Sequence, residues 1–122
     1  MIRMMCKSKI QNLVVTEANV NYSGSISIDS YLLEKANIKP YEMILVVNLD
    51  NGERLETYAI PAKKNSGTVG LQGGAAKKGK VGDKLIIMSY LYVYEGELAK
   101  FKHKIIIAGE NNCILEEKDG PY

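Results

Sequence analysis

The segment Gly74-Ala75-Ala76-Lys77-Lys78-Gly79-Lys80-Val81 has the spacing of a phosphate-binding loop up to its last position. Val81 stands where a Ser or Thr would hold magnesium, and Gly82-Asp83 leads into a strand-like run rather than a helix. Without a helix N-terminus behind it the loop cannot cradle a phosphate, and it reads as a solvated Lys-rich turn. A more selective signal is Arg54. The chain carries fourteen Lys and only two Arg, Arg3 and Arg54, and a guanidinium is the group suited to a two-pronged grip on a carboxylate. Read by itself, Arg54 is equally a charge on a hairpin. His103 is the one histidine, and the two cysteines, Cys6 and Cys113, have no metal-ligand spacing, so neither a zinc site nor a Cys-His dyad is expected. Gly24-Ser25 is the single Gly-Ser step, and taken alone it is common loop filler.

Composition bounds what these residues can serve. The 122 residues suit one domain spanning residues 1–122, and 46% hydrophobic with 25% charged residues is an ordinary globular balance. A net charge of +2 is too weak a field for a dedicated nucleic-acid binder, and the lysines lack interleaved aromatics. The longest apolar runs fall far short of a membrane span. Charges sit where a signal peptide needs its apolar stretch, so the reading is a cytoplasmic protein with reduced thiols, no membrane and no nucleic-acid partner.

The elements that must position these groups are mostly strands. Short β-branched runs bounded by turn residues predict strands at Leu13–Thr16, Ile26–Ile28, Met43–Leu49, Glu53–Ile60, Thr68–Leu71, Leu85–Tyr94, Lys104–Ala108 and Cys113–Glu117. Asp50-Asn51-Gly52 is a hairpin turn, and Gly109-Glu110-Asn111-Asn112 closes another. Asp29 or Ser30 caps a short helix, Tyr31 to Ala36, with Glu34 in its first turn. Tyr90, Tyr92 and Tyr94 share one strand face, suited to packing or an interface. Residues Glu116 to Tyr122 read as a loose tail. The expected fold is mainly β: a small closed barrel of six to eight strands with one or two short helices.

Several blocks taken together carry a resemblance. They are Met1-Ile2-Arg3 with Lys9, Val15-Thr16-Glu17-Ala18, Tyr22-Ser23-Gly24-Ser25-Ile26-Ser27-Ile28-Asp29, Asn51 to Ile60, Gly73-Gly74-Ala75-Ala76, and Val81 to Ile87. In this order and register the chain resembles the pyruvoyl-dependent aspartate 1-decarboxylases, over residues 1 to about 95. Tyr-x-Gly-Ser and Arg-x-x-Thr-Tyr-Ala-Ile are the specific pair. The resemblance implies a double-psi β-barrel, a homotetramer with active sites at subunit boundaries, and conversion of L-aspartate to β-alanine and carbon dioxide for pantothenate synthesis.

The resemblance also implies roles. Ser25 would attack the Gly24 carbonyl, with Thr57 a donor to the intermediate; cleavage between Gly24 and Ser25 then leaves a 1–24 chain and a 25–122 chain. The second chain would begin with a pyruvoyl group made from Ser25, the covalent cofactor, which forms a Schiff base with the substrate. Tyr58 would donate the proton, Arg54 and Lys9 would take the two carboxylates together with Thr57, and Gly73, Gly74 and Ala75 would bring backbone amides to the ligand. No metal is implied. Three positions depart from the usual family pattern: Val47 for Trp, Gln11 for His and Gln72 for Asn. These bear on substrate detail and processing more than on reaction class. Two rival readings remain: an uncleaved barrel serving binding or assembly, and a pyruvoyl decarboxylase acting on another acidic amino acid such as glutamate.

Overall fold

Alternating apolar residues build one continuous sheet in the computed structural model, which describes residues 1–120. Its strands are β1 (Ile2–Val14), β2 (Glu17–Asn19), β3 (Ser25–Asp29), β4 (Met43–Asn48), β5 (Arg54–Ala62), β6 (Val69–Gln72), β7 (Lys84–Tyr94), β8 (Lys104–Ala108) and β9 (Ile114–Asp119). They are hydrogen-bonded in the order β2-β6-β3-β5-β4-β7-β1-β8-β9. The fold is mainly β, as the patterning predicts, but the described residues form nine strands, more than the six to eight expected.

The additional strand is β2, paired with β6, and β1 begins well before the expected Leu13. The sequence pattern marks only Leu13–Thr16 there, because Met4-Met5-Cys6-Lys7-Ser8-Lys9 does not alternate cleanly. Tertiary pairing overrides that weak signal. β1 lies antiparallel to β7 along almost its whole length and parallel to β8, with irregularities between Cys6 and Ser8 and between Ile10 and Leu13. Asn12, within the second irregularity, has φ 65°, a bulge that resets which side chains face inward.

Three pairings are parallel: β1 with β8, β2 with β6, and β3 with β5. Parallel neighbours need crossover connections rather than hairpins, and the β3–β5 crossover runs through a six-residue helix, α1 (Ser30–Lys35). Asp29 caps it, accepting at Oδ1 from the Tyr31 N–H at 2.9 Å. The same carboxylate accepts from the Asn65 and Gly67 N–H groups at 2.9 and 3.0 Å, so it also clasps the β5–β6 loop. Glu34 falls near the end of α1 and not in its first turn.

The core is aliphatic. Ile10, Leu13, Ile26, Ile28, Leu32, Ile44, Val46, Leu71, Leu85, Ile87 and Ile106 are almost fully buried, and truncating one of them to Ala costs roughly 2–5 kcal/mol. The Asp50-Asn51-Gly52 turn forms as expected, with Gly52 at φ 75° and its N–H donating to the Asn48 carbonyl at 2.9 Å.

The Lys-rich segment proves to be a tie. Asp83 Oδ2 accepts from Asn48 Nδ2 at 2.9 Å and from the Lys80 N–H at 3.0 Å, while Asn51 Nδ2 donates to the Lys78 carbonyl at 2.9 Å. These donors hold Asp83 below the ordinary carboxylate range. A 3₁₀ turn (Gly73–Lys77) forms the first part of the segment and β7 follows it.

The tail expectation needs correction. Glu116 to Asp119 belong to β9, paired antiparallel with β8, and the Gly120 N–H donates to the His103 carbonyl at 2.6 Å. Pro121 and Tyr122 lie outside the described residues. No helix among the described residues is long and apolar enough to cross a membrane.

Candidate active site

Ser25 opens β3 and is unusual in three ways at once. It is 4% exposed, its φ is 110°, and its Oγ has no hydrogen-bond partner. A non-glycine residue held at such a φ stores on the order of 1–3 kcal/mol, and a buried hydroxyl without a partner costs about 1–3 kcal/mol more. Gly24 before it is exposed. The Gly24–Ser25 peptide therefore sits where an open turn enters a rigid strand.

Two neighbours hold that turn. On one side β6 pairs antiparallel with β3, setting Gln72 opposite Ser25 and Leu71 opposite Ile26. On the other, β5 runs parallel, with Ala59 beside Ile26 and Ile60 beside Ser27. Thr57 and Tyr58 come just before Ala59 on that strand, whose pairing with β3 begins at Ile26. Gly73 has φ 58°, and a Cβ there would stand 2.8 Å from the Tyr22 carbonyl oxygen. Glycine is needed at that position for both reasons. Gly74, by contrast, faces open space, and Ala75 is buried.

Thr57 is half-buried and lies opposite Ile44 of β4, and Tyr58 lies opposite Met43. The Tyr58 side chain is 40% exposed, with its ring 5.9 Å from that of Tyr41. Its hydroxyl makes no hydrogen bond among the described residues.

Arg54 lies four residues before Tyr58 on β5, roughly 13 Å along the strand at about 3.3 Å per residue. It is exposed, lies opposite Val47 and makes no ion pair among the described residues. Lys9 lies on β1, four strand positions from Ser25 in the sheet order. It too lacks an ion pair, whereas nearby Lys7 is held by Glu42 at 2.7 Å.

Lys9 and Arg54 nonetheless share one electrostatic neighbourhood. Burial pushes the Cys6 thiol up, and the Lys9 ammonium opposes it. Burial likewise pushes the Tyr90 phenol up, Cys6 adding to the effect and Arg54 opposing it. Cys6 and Tyr90 are cross-strand partners, so Lys9, Cys6, Tyr90 and Arg54 gather on one sheet face. Partly buried Leu45, Val47, Ile86, Met88, Ile105 and Ile107 lie on the same strands beside them.

The structure thus sets Gly73 against Gly24 and Gln72 opposite Ser25, with Thr57 and Tyr58 just before Ala59 on the neighbouring strand β5, and gathers Arg54 and Lys9 around Cys6 and Tyr90. Gln11 lies opposite Ile107 of β8, remote from β3 in the sheet order.

Sequence reading gave no role to Glu17, Ser27 or Gly70, and no local pattern marks them. They meet Gln72 only through strand pairing: Gln72 Nε2 approaches Glu17 Oε1 at 3.5 Å and Ser27 Oγ at 3.4 Å. Gly70 clears the room, since a Cβ there would come within 2.7 Å of Glu17 Oε1. Tyr90 beside Arg54 is likewise visible only in three dimensions. His103 Nδ1 lies 2.8 Å from the Cys6 carbonyl oxygen, a strand-edge contact away from Ser25. Among the described residues no group of three or more His, Cys, Asp or Glu is placed to hold a metal.

The comparisons with known proteins agree on one family. The chain is similar to the aspartate 1-decarboxylase of Acaryochloris marina, 46% identical over 117 residues that cover 96% of this chain and 89% of that protein. It is 49% identical to that of Clostridium botulinum over 110 residues, 90% of this chain and 87% of the relative. With the Thermoanaerobacter pseudethanolicus protein it shares 47% identity over 112 residues, 92% and 96% of the two chains. The family model for aspartate decarboxylase matches residues 1–115, so the likeness extends beyond residue 95, where the motifs alone had left it. With a match over nearly its full length, the chain belongs to the aspartate decarboxylase family.

Proposed function

We propose that this protein is an aspartate 1-decarboxylase that converts L-aspartate to β-alanine and carbon dioxide, using a pyruvoyl group made from its own Ser25. The observation that carries this reading is the buried, strained Ser25 with an unpartnered hydroxyl directly after Gly24. Buried hydroxyls are nearly always satisfied, and one held without a partner at a forced φ is the kind of exception that attends chemistry.

The processing steps balance with one water. The Ser25 Oγ bonds to the Gly24 carbonyl carbon, the C–N bond breaks, and the hydroxyl proton passes to the freed amine, giving an ester. Loss of the Ser25 Cα proton then breaks the Cβ–O bond and leaves a Gly24 carboxylate and a dehydroalanine. Water replaces its nitrogen as ammonia. Thr57 is the donor for the charge that builds on the Gly24 oxygen. Gly73 keeps the turn pressed in the attacking geometry.

The fit of a pyruvoyl group to this position rests on the buried strand start, with Gln72 opposite it on β6. Such a group supplies an electron-withdrawing carbonyl that takes up the electrons released with carbon dioxide. Arg54 and Lys9 bind the two carboxylates of aspartate, Arg54 by a planar fork and Lys9 as a point charge. Tyr58 delivers the proton that replaces the lost carboxylate. Backbone amides of Gly73, Gly74 and Ala75 complete the pocket.

The assembly proposed is a homotetramer with each active site at a subunit boundary. The half-buried apolar face around Lys9 and Arg54 supports it. Exposed Tyr92 and Tyr94 extend that surface. The sheet is proposed to curl into a double-psi barrel as one domain, a reading supported by its three parallel pairings and by the Thr16 N–H that donates to the Val69 carbonyl, linking the end of β1 to β6. A cytoplasmic site accords with two free cysteines.

Denaturing mass spectrometry tests the processing and a β-alanine assay tests the reaction. Two chains, residues 1–24 and 25–122, with β-alanine formed from aspartate, are expected. A single full-length mass after prolonged incubation overturns the proposal in favour of an uncleaved module.

A further inference from the structure

Ser25 Oγ and Gln72 Oε1 are both buried atoms without a hydrogen-bond partner, and their residues face each other across the β3–β6 pair. One is a donor and the other an acceptor, so each could satisfy the other after a side-chain rotation. What decides the direction of the Gln72 amide is its third neighbour. Glu17, on β2, places Oε1 3.5 Å from Gln72 Nε2, while Ser27 Oγ lies 3.4 Å from the same nitrogen. A carboxylate only accepts, so it draws the NH₂ end and repels the carbonyl end of an amide. Both contacts are long, but the carboxylate's charge acts over that distance. Gly70 keeps them possible, because a Cβ there would stand 2.7 Å from Glu17 Oε1 and 2.9 Å from Gln72 Nε2.

We propose that Glu17 is a positioning residue for self-processing: its carboxylate turns the Gln72 amide so that Oε1 is the acceptor left for the Ser25 hydroxyl as that hydroxyl attacks Gly24. This rests on the reading that Ser25 is processed. Gln72 accepts a hydrogen bond and takes no proton; the proton ends on the freed amine as described above. An amide turned the other way would offer Ser25 an NH₂ group, which cannot accept from the hydroxyl and leaves its lone pairs less free to attack.

The test follows cleavage of rapidly purified precursor by intact mass over time, in wild type, Glu17→Gln, Glu17→Asp and Gly70→Ala. Glu17→Gln keeps size but can present either end of its own amide, and cleavage should slow by about three- to tenfold, as loss of a weak charge-assisted contact allows. Glu17→Asp is a poorer match in shape but keeps the charge, and should cleave faster than Glu17→Gln. A merely structural role orders the two the other way, and that order overturns the inference. Gly70→Ala keeps both side chains but drives them apart, and should slow cleavage without adding to Glu17→Gln in the double variant. Glu17 is exposed, and melting temperatures of the two Glu17 variants should match wild type. Wild type that cleaves while Glu17→Gln and Gly70→Ala cleave equally fast sinks the inference and leaves the processing reading standing. Wild type that never cleaves removes both.

Discussion

Gly73 lies so close over Gly24 that a side chain on it would displace the turn before Ser25: a Cβ built there stands 2.7 Å from the Gly24 Cα and 2.8 Å from its nitrogen. The next residue, Gly74, meets nothing within 4 Å. Two adjacent glycines in one motif therefore make opposite forecasts. Gly73→Ala should slow Gly24–Ser25 cleavage by about tenfold or more, the effect of about 1.4 kcal/mol on the barrier, because the turn must shift and the residue is held at positive φ. Gly74→Ala should cleave as wild type. Intact-mass time courses on both variants decide it, and equal rates would refute the close-approach argument.

Ser25→Ala should give only the full-length chain. It should also fold at least as stably as the unprocessed wild-type chain, since it removes a buried hydroxyl that has no partner, a group costing about 1–3 kcal/mol. Chemical denaturation of Ser25→Ala against freshly purified precursor is the measurement. Marked destabilisation would show that the hydroxyl makes a bond in solution.

Tyr58→Phe deletes one hydroxyl at nearly constant volume from a side chain that is 40% exposed. Cleavage and fold should persist, while β-alanine formation falls by about a hundred- to ten-thousand-fold, the usual share of a general acid. A fully cleaved Tyr58→Phe protein with normal turnover would take Tyr58 out of the reaction.

Arg54→Lys keeps the charge near Tyr90 and loses the fork. Cleavage should be unaffected, since Arg54 lies well along β5 from Ser25. Its kcat/KM for aspartate should drop about ten- to a hundred-and-fifty-fold, the worth of a charge-assisted hydrogen bond of roughly 1.5–3 kcal/mol. Glutamate assayed in parallel tests whether Val47, smaller than the usual Trp, has widened the pocket. A preference for glutamate in wild type would change the substrate and keep the chemistry.

Asp83 supplies a pH forecast. Its folded-state pKa lies below the ordinary carboxylate value, chiefly through Asn48 Nδ2 and then the Lys80 N–H. As pH falls, the unfolded chain takes up this proton first, so the stabilisation is full at neutral pH and is lost below the ordinary carboxylate range. Melting temperature against pH should therefore decline in acid, and Asp83→Asn should lower it at pH 7 and flatten that decline. A parallel offset between the two profiles would contradict the assignment.

Much of this was legible in the sequence because it depends on neighbours along the chain. The β4–β5 hairpin follows from Asp50-Asn51-Gly52, the cap of α1 from Asp29, and the strands from β-branched alternation, all local consequences of backbone preference. The ordered blocks from Tyr22 to Asp29 and from Arg54 to Ile60 named the family, and with it the residues to inspect. What no local rule could supply is which strands lie side by side, since that is settled by burying many apolar faces at once. The first half of β1 became a strand only because β7 was there to pair with it. Sheet register, not spacing, set Gln72 opposite Ser25, brought Glu17 to the Gln72 amide across a space that Gly70 leaves open, and gathered Lys9 with Arg54 around Cys6 and Tyr90. The strain at Ser25 is tertiary as well, for no local preference gives a serine φ 110°; it holds that angle where the chain enters β3 opposite Gln72.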